Sequence, residues 1–321
     1  MPAKKSVVII FVGLLLVSLA VLTYTRYQHD IQRERARVLV GSRIVETPCG
    51  IIEYGMAGKG PPLMVVHGAG GGFDQGLEFS EALVQRGFSV IAMSRFGYLH
   101  TPVPADASII AQADAHACLL DALNIPRVAI VGASAGAPSA MQFALRYPAR
   151  TSALVLLVPV AYAPRPEGVP AVQSPAGLEF LFDTALKSDF LFWAGLRLVP
   201  QTMIRALLAT PPAIVKNASV EEQARIAHML EHILPISSRR LGLLNDAAVI
   251  ASLSRYELER IAVPTLIFSV EDDLFGTYQG ARYSAEHIPR ARFVGFPAGG
   301  HMWIGHHQEV IAEIASFLKN P

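Results

Sequence analysis

Short apolar runs alternate with stretches of helical periodicity along the chain from about residue 38 onward. Runs such as Leu63–Val66 and Val128–Val131 are apolar throughout, which is typical of strands buried on both faces of a sheet. The pattern predicts six further strands, the first two of them antiparallel: Val38–Glu46, Gly50–Tyr54, Phe88–Met93, Ala153–Val158, Thr265–Val270 and Arg292–Phe296. Helices are predicted between strands, over Leu77–Arg86, Ala107–Leu123 and Ala135–Tyr147. We therefore expect an α/β protein with a mostly parallel central sheet and helices on both faces.

Residues 161–260 contain no convincing strand pattern. Helical periodicity appears instead at Leu178–Leu186, Phe190–Leu198 and Val220–Ile233. A segment this long is not a plain loop in a folded domain. We expect an inserted helical cap over residues 161–260, above the carboxyl ends of the strands, and a core formed by residues 38–160 and 261–321.

An apolar segment without charge, Val7–Tyr24, precedes this pattern. Its length approaches the roughly 20 residues that a helix needs to cross a bilayer core. It predicts a single-pass membrane anchor over residues 1–25, followed by a polar helical extension or linker over residues 26–37. The alternative is a signal peptide cleaved after Ala20, which would leave a secreted or periplasmic protein. Basic residues flank both sides, so the side of the membrane stays open.

Composition narrows the function further. Hydrophobic residues make up 52% of the chain and the formal net charge is only +1, which argues against nucleic acid as a partner. The two cysteines, Cys49 and Cys118, lack metal-ligand spacing, so we expect no metal site. They form a disulfide if the domain faces an oxidising compartment, although buried free cysteine is common and is the favoured interpretation.

The segment Gly132–Gly136 has the pattern G-x-S-x-G between a predicted strand and a predicted helix. In this context the serine lies on a sharp turn, whose close neighbours must be small. The pattern predicts that Ser134 is a nucleophile. The alternative is a turn of small residues with an incidental serine.

A glycine-rich turn, His67–Gly72, follows the strand Leu63–Val66. Acyl transfer needs two N–H donors for the oxygen that becomes negative. We expect this oxyanion hole to use the backbone N–H groups of Ala69 and Ala135, with Gly70 as the alternative to Ala69. His67 belongs to the turn and is expected to be structural. The turn lacks the sequence of a phosphate-binding loop.

His301 lies on a glycine-rich loop directly after the last predicted strand, a position from which it can contact Ser134 as a general base. The competing histidines lie in or beside predicted helices: His287, His306 and His307. An acidic group should follow the strand Thr265–Val270 to orient the imidazole. Asp273 is the expected acid, with Asp272 as its alternative.

These motifs resemble the α/β-hydrolase superfamily over residues 38–319. The matching segments are the His67-Gly68 turn with its glycines, Ser94–Tyr98, the turn at Ser134, Asp273 and Gly300-His301. Ser94 stands where the family usually has an aspartate of structural importance. The resemblance implies an α/β-hydrolase fold and a triad in the order Ser134, Asp273, His301. A serine nucleophile excludes the members that use aspartate.

The expected activity is hydrolysis of a carboxylic ester or lactone through an acyl-serine, without metal or cofactor. A C–C bond hydrolase, an acyltransferase and a non-catalytic binding protein at a membrane are the alternatives. Apolar residues crowd part of the predicted cap and either form its own core or line a pocket for a hydrophobic, lipid-like substrate: Phe180, Phe182, Phe190, Phe192, Trp193 and Leu196.

Overall fold

The computed structural model describes residues 2–164 and 185–320, and the chain divides into two units, Met1–Val40 and Gly41–Pro321. The first unit is one helix, α1 (Pro2–Arg37), which continues without a break through the polar residues 26–37. Its apolar side chains from Val7 to Leu22 are exposed, and its mean hydropathy reaches 2.8 over an 18-residue window. Within the described chain it is the one helix long and apolar enough to cross a membrane, a property that signal sequences share.

The second unit is built on an eight-stranded sheet with the strand order β1-β2-β4-β3-β5-β6-β7-β8. β1 pairs with β2 and β2 with β4 in antiparallel fashion, and all other pairs are parallel, which confirms the predicted mostly parallel sheet. The strands are β1 (Arg43–Thr47), β2 (Gly50–Ala57), β3 (Pro62–Val66), β4 (Ser89–Met93), β5 (Val128–Ala133), β6 (Thr151–Leu157), β7 (Thr265–Val270) and β8 (Ala291–Phe296).

Helices cover both faces of the sheet, as the alternating pattern predicts. One buried cluster packs α4 (Ile109–Ala122), α5 (Ala137–Arg146) and α11 (Thr277–His287) against it, and a second packs α3 (Glu81–Val84) and α12 (His307–Lys319) against the opposite face. The helix predicted over Leu77–Arg86 is divided in two, α2 (Phe73–Phe79) and α3. Ser80 lies at the break, buried, and its hydroxyl donates to the Gly76 carbonyl (2.6 Å), a local bond that bends helices.

Between β6 and β7 the described residues form helices and no strand. These helices are α6 (Asp189–Leu198), α7 (Pro200–Leu207), α8 (Pro212–Lys216), α9 (Val220–Glu231) and α10 (Arg240–Ala251). The sequence pattern predicts α6 and α9 and misses the other three, although Pro200 and Pro212 are helix-start signals. Most of Leu178–Leu186, with Phe180 and Phe182, lies outside the described residues. Of the other apolar residues in this region, Phe192 and Trp193 are buried and Phe190 is partly exposed.

A carboxylate on β2, that of Glu53, stabilises the turn after β4 through hydrogen bonds. Ser94 is buried; its hydroxyl donates to Glu53 Oε2 (2.8 Å) and accepts from the Phe73 N–H (3.1 Å). The Glu53 carboxylate, on β2, also accepts from the Ser42 hydroxyl (2.6 Å) and the His100 N–H (3.1 Å). Glu53, from a neighbouring strand, thus supplies this turn with a carboxylate although position 94 itself is a serine.

Cys49 and Cys118 are joined in a disulfide, with their Cα atoms 6.1 Å apart. The bond links the turn between β1 and β2 to α4. The favoured interpretation of the sequence, two unpaired thiols, is therefore wrong for this structure. The two cysteines are 69 positions apart, a spacing that gives no sign that the fold brings them together.

Candidate active site

Ser134 follows β5 directly and has a φ of 49°, in the left-handed region that residues other than glycine rarely adopt. The backbone therefore turns sharply between the strand and the helix that follows it. A Cβ at Gly136 would lie 2.5 Å from the His67 carbonyl oxygen, and a Cβ at Gly132 would lie 2.7 Å from the Ala140 Cβ. Only glycine fits at either position, which explains the spacing of the motif around Ser134.

His301 extends from the loop after β8 to Ser134. Its Nε2 lies 2.9 Å from Ser134 Oγ, and its Nδ1 lies 2.8 Å from Asp273 Oδ2. Gly299 and Gly300 have φ values of 140° and 63°. Glycine adopts such positive φ values readily, and they direct the loop towards Ser134. A carboxylate at Nδ1 holds the ring proton there, which leaves Nε2 as the acceptor for the Ser134 hydroxyl.

Asp273 is the acid that the structure places against His301. Burial alone would raise the pKa of Asp273, but attraction to His301 and hydrogen bonds from His301, the Thr277 hydroxyl and the Phe275 N–H outweigh burial and lower the pKa. The carboxylate therefore keeps its charge to lower pH than an ordinary aspartate. Asp272 instead accepts a hydrogen bond from the Gly300 N–H (2.7 Å), which supports the histidine loop.

The three competing histidines have other neighbours. His287 stacks on Tyr283, His306 stacks on Phe296, and His307 Nδ1 lies 3.5 Å from the Trp303 indole nitrogen. In the part of the chain that the structure describes, His301 is the histidine that contacts Ser134.

The glycine-rich turn passes close to the serine, because a Cβ on Gly68 would lie 3.3 Å from the Ser134 Cβ. Gly70 donates its N–H to the Tyr98 hydroxyl (3.2 Å) and is therefore already engaged. Among residues 2–164 and 185–320, the Ala69 N–H has no acceptor. Ala135 opens the helix after Ser134, where backbone N–H groups lack partners within the helix. Ala69 and Ala135 are thus the better placed of the expected donors.

His67 organises the turn. Its Nε2 accepts from the Arg95 backbone N–H (3.0 Å), so its Nδ1 carries the proton and donates to the Gly68 carbonyl (2.7 Å). Burial, and then the charge of Arg95, lower the pKa of His67 well below its ordinary value. The imidazole is therefore neutral and structural, as expected.

A buried ion pair braces the same turn from the segment between β6 and β7. The Arg95 guanidinium donates to the carbonyls of His67 (3.0 Å) and Gly68 (3.1 Å) and makes a two-bond pair with Asp246 on α10 (2.5 and 2.8 Å). The Tyr98 hydroxyl also donates to Asp246 (2.6 Å). No local pattern in the sequence predicts this pair, since Arg95 and Asp246 are 151 positions apart.

Two further residues of that segment, Arg239 and Ala209, hold the loops of the site. The buried Arg239 donates to the Gly71 carbonyl (2.5 Å) and pairs with Asp74 (2.7 Å). The Ala209 carbonyl accepts from the N–H groups of Leu274 (3.0 Å) and His301 (3.4 Å). The glycine turn, the acid loop and the histidine loop are therefore all anchored to residues between β6 and β7.

We expect Asp246→Asn to lower the free energy of unfolding by about 3–5 kcal/mol, because it leaves the Arg95 charge buried without its partner. Asp114→Asn is the matched control. Asp114 also makes a two-bond pair with an arginine, Arg146, but at the surface, so its loss should cost less than about 1 kcal/mol. Urea unfolding of the full chain in detergent, followed by circular dichroism, measures both. Equal losses would contradict the bracing role.

The family model for the alpha/beta hydrolase fold matches residues 61–226. An uncharacterized hydrolase of Bacillus subtilis, YcgS, is 28% identical over 292 residues, which cover 84% of this chain and 94% of that protein. A solved alpha/beta hydrolase fold protein from Nakamurella multipartita superposes with a TM-score of 0.68 at 26% identity, over 87% of this chain and 99% of that one.

A more local similarity concerns a hydrolase of Paraburkholderia xenovorans that is named for 2-hydroxy-6-oxononadienedioate and 2-hydroxy-6-oxononatrienedioate. It is 37% identical over 135 residues, which cover 38% of this chain and 46% of that protein. The match spans less than half of that relative.

Proposed function

Because this chain belongs to the α/β-hydrolase fold family, we propose that it is a serine hydrolase that cleaves a carboxylic ester or lactone through an acyl-Ser134 intermediate. The observation that carries the proposal is the hydrogen-bonded series from Ser134 Oγ through His301 to Asp273. A serine hydroxyl is a weak nucleophile unless a base accepts its proton, and His301 Nε2 is placed to do so.

In the acylation step, Ser134 Oγ attacks the substrate carbonyl carbon while His301 Nε2 takes the hydroxyl proton. The tetrahedral intermediate bears its negative charge on the former carbonyl oxygen, to which the N–H groups of Ala69 and Ala135 donate. Each such donor contributes about 3 kcal/mol in enzymes of this kind. The C–O bond then breaks, and His301 gives its proton to the departing alcohol oxygen.

Deacylation repeats the sequence with water. His301 takes a proton from a water molecule, whose oxygen attacks the acyl carbon. The bond to Ser134 Oγ breaks, and the proton returns from His301 to the serine. The carboxylic acid leaves, and no other reactant is consumed. Asp273 stays ionised throughout, because its lowered pKa disfavours protonation. Its carboxylate stabilises the imidazolium of His301 and does not accept the proton itself.

For the substrate we propose a hydrophobic ester. The exposed apolar helix α1 would hold the enzyme at a membrane, where lipid-like esters concentrate. The buried aromatic residues Phe192 and Trp193 give the segment between β6 and β7 an apolar interior. Activity against p-nitrophenyl esters of increasing acyl length measures this preference.

The local similarity to the Paraburkholderia hydrolase favours a second candidate, hydrolysis of a carbon–carbon bond on the same residues. The leaving group would then be a carbon acid rather than an alcohol. Inactivity across the whole ester series, together with retained reaction of Ser134 with a fluorophosphonate, would favour this second candidate.

We expect a fluorophosphonate probe to label the wild-type chain and to leave Ser134→Ala unlabelled, and we expect ester hydrolysis to fall at least about 10³-fold in that variant. Ser139→Ala is the control. Ser139 also contacts a histidine, His116 (3.1 Å), but burial lowers the pKa of His116 to about 3 and both groups are fully enclosed. Labelling of Ser134→Ala at the wild-type level would reject Ser134 as the nucleophile.

Asp273→Asn should lower kcat by about 10³–10⁴-fold, because an amide beside Nδ1 no longer fixes the ring proton or stabilises the imidazolium. Asp272→Asn keeps an amide oxygen that can accept from the Gly300 N–H and removes only the charge, so a much smaller loss is expected. Steady-state hydrolysis of one ester by both variants makes the comparison. A larger loss of kcat in Asp272→Asn than in Asp273→Asn would identify Asp272 as the acid that orients His301.

We also propose that α1 anchors the protein and that the hydrolase unit faces an oxidising compartment, which the Cys49–Cys118 pair favours. In a bacterial host the full-length chain should remain in membranes after a carbonate wash and should migrate faster on gels without reductant. Cys49→Ala should abolish that difference in mobility. A soluble product shortened by about 20 residues would instead identify a cleaved signal peptide.

A further inference from the structure

Two histidines one helical turn apart lie beside a glutamate from another part of the chain. His228 is on α9, and His232 follows its end; the His232 N–H donates to the His228 carbonyl (2.9 Å), so the turn is helical. Glu78, on α2, places one carboxylate oxygen 3.3 Å from His228 Nε2 and the other 2.5 Å from His232 Nδ1. The three ligand atoms all lie within 4.8 Å of one another.

We propose that Glu78, His228 and His232 bind a Zn²⁺ ion or a similar divalent transition metal. Two imidazole nitrogens and a carboxylate oxygen are ligands that zinc takes, with the fourth position left to water. Ligands about 2.0–2.1 Å from a tetrahedral zinc lie roughly 3.3–3.5 Å apart, so small side-chain rotations convert the observed cluster into a site. This set shares no residue with Ser134, His301 or Asp273.

The cluster is open to an incoming ion. The side chains of His228 and Glu78 are 54% and 30% exposed, whereas that of His232 is 14% exposed. Glu78 and His232 also line a cleft of ≈ 300 Å³ between α2 and α9. The site therefore has one largely buried ligand, His232, and an exposed side at His228 through which an ion can enter.

A bound ion would join two elements that border the active site. α2 begins immediately after the glycine-rich turn that carries Ala69. Ile233 follows His232 and packs over that turn, since a Cβ on Gly70 would lie 3.6 Å from the Ile233 side chain. Binding would hold α9 against α2 and so fix Ile233 over the glycine-rich turn. The metal would therefore stabilise the structure and would take no part in the reaction at Ser134.

The test is Zn²⁺ titration by calorimetry of the full-length chain in detergent, stripped with EDTA and purified through a tag without histidine. We expect one Zn²⁺ per chain and a thermal unfolding midpoint raised by several degrees. His228→Ala and Glu78→Gln should each weaken binding at least about tenfold and remove the thermal shift. His228 is largely exposed, so its replacement should leave the circular dichroism in EDTA unchanged.

His100→Ala is the matched control. His100 also contacts a glutamate, Glu53 (2.6 Å), but belongs to no group of three such ligands among the described residues, so this variant should bind Zn²⁺ like the wild type. The proposal is overturned if the wild type takes up no stoichiometric Zn²⁺, or if His228→Ala and Glu78→Gln bind it unchanged. The cluster would then be a pair of histidine–carboxylate contacts only. None of these measurements depends on hydrolytic activity.

Discussion

A left-handed backbone at Ser134 places one hydroxyl at the carboxyl edge of the sheet, and the remaining features of the site are arranged around it. The conformation is costly for a residue with a side chain, and it persists because β5 and the following helix pack closely on either side. The helix leaves no space for a Cβ at Gly132, and the end of β3 with the first residue of the glycine-rich turn leaves none at Gly136. The hydroxyl is thereby directed to where the histidine loop, the glycine-rich turn and the substrate can meet.

The loops that complete the site have little secondary structure of their own, and they are positioned by buried polar contacts. Arg95 and Asp246 fix the glycine-rich turn, while the Ala209 carbonyl joins the acid loop to the histidine loop. Buried charges persist only when they are paired and hydrogen-bonded, so each contact specifies one arrangement of its loop. The segment between β6 and β7 thus positions the loops that surround Ser134.

Much of this was predictable from local patterns. All eight predicted strands exist, and β7 has the predicted bounds. A short apolar run between two helical stretches rarely forms anything but a buried strand. Ser134, His301 and Asp273 were identifiable for a similar reason. Ser134 lies directly beyond β5, and Asp273 and His301 lie on the loops that follow β7 and β8. Parallel strands bring their carboxyl ends to one edge.

Short-range signals also have clear limits here. The break at Ser80 depends on one buried hydroxyl bond. The helices α7 and α8 are only 8 and 5 residues long, and α10 has almost no amphipathic pattern, so these three helices give little local signal. The choice of Asp273 over Asp272 as the neighbour of His301 depends on which carboxylate the turn directs inward.

The sequence by itself determined the order of the strands, the apolar first helix and the residues capable of nucleophilic chemistry, since these follow from hydrophobic period and local turn geometry. The tertiary structure alone decided the pairings: Cys49 with Cys118, Arg95 with Asp246, and Glu78 with His228 and His232. Such contacts join residues far apart along the chain. Their formation depends on how the packed sheet and helices bring side chains together, which no local pattern encodes.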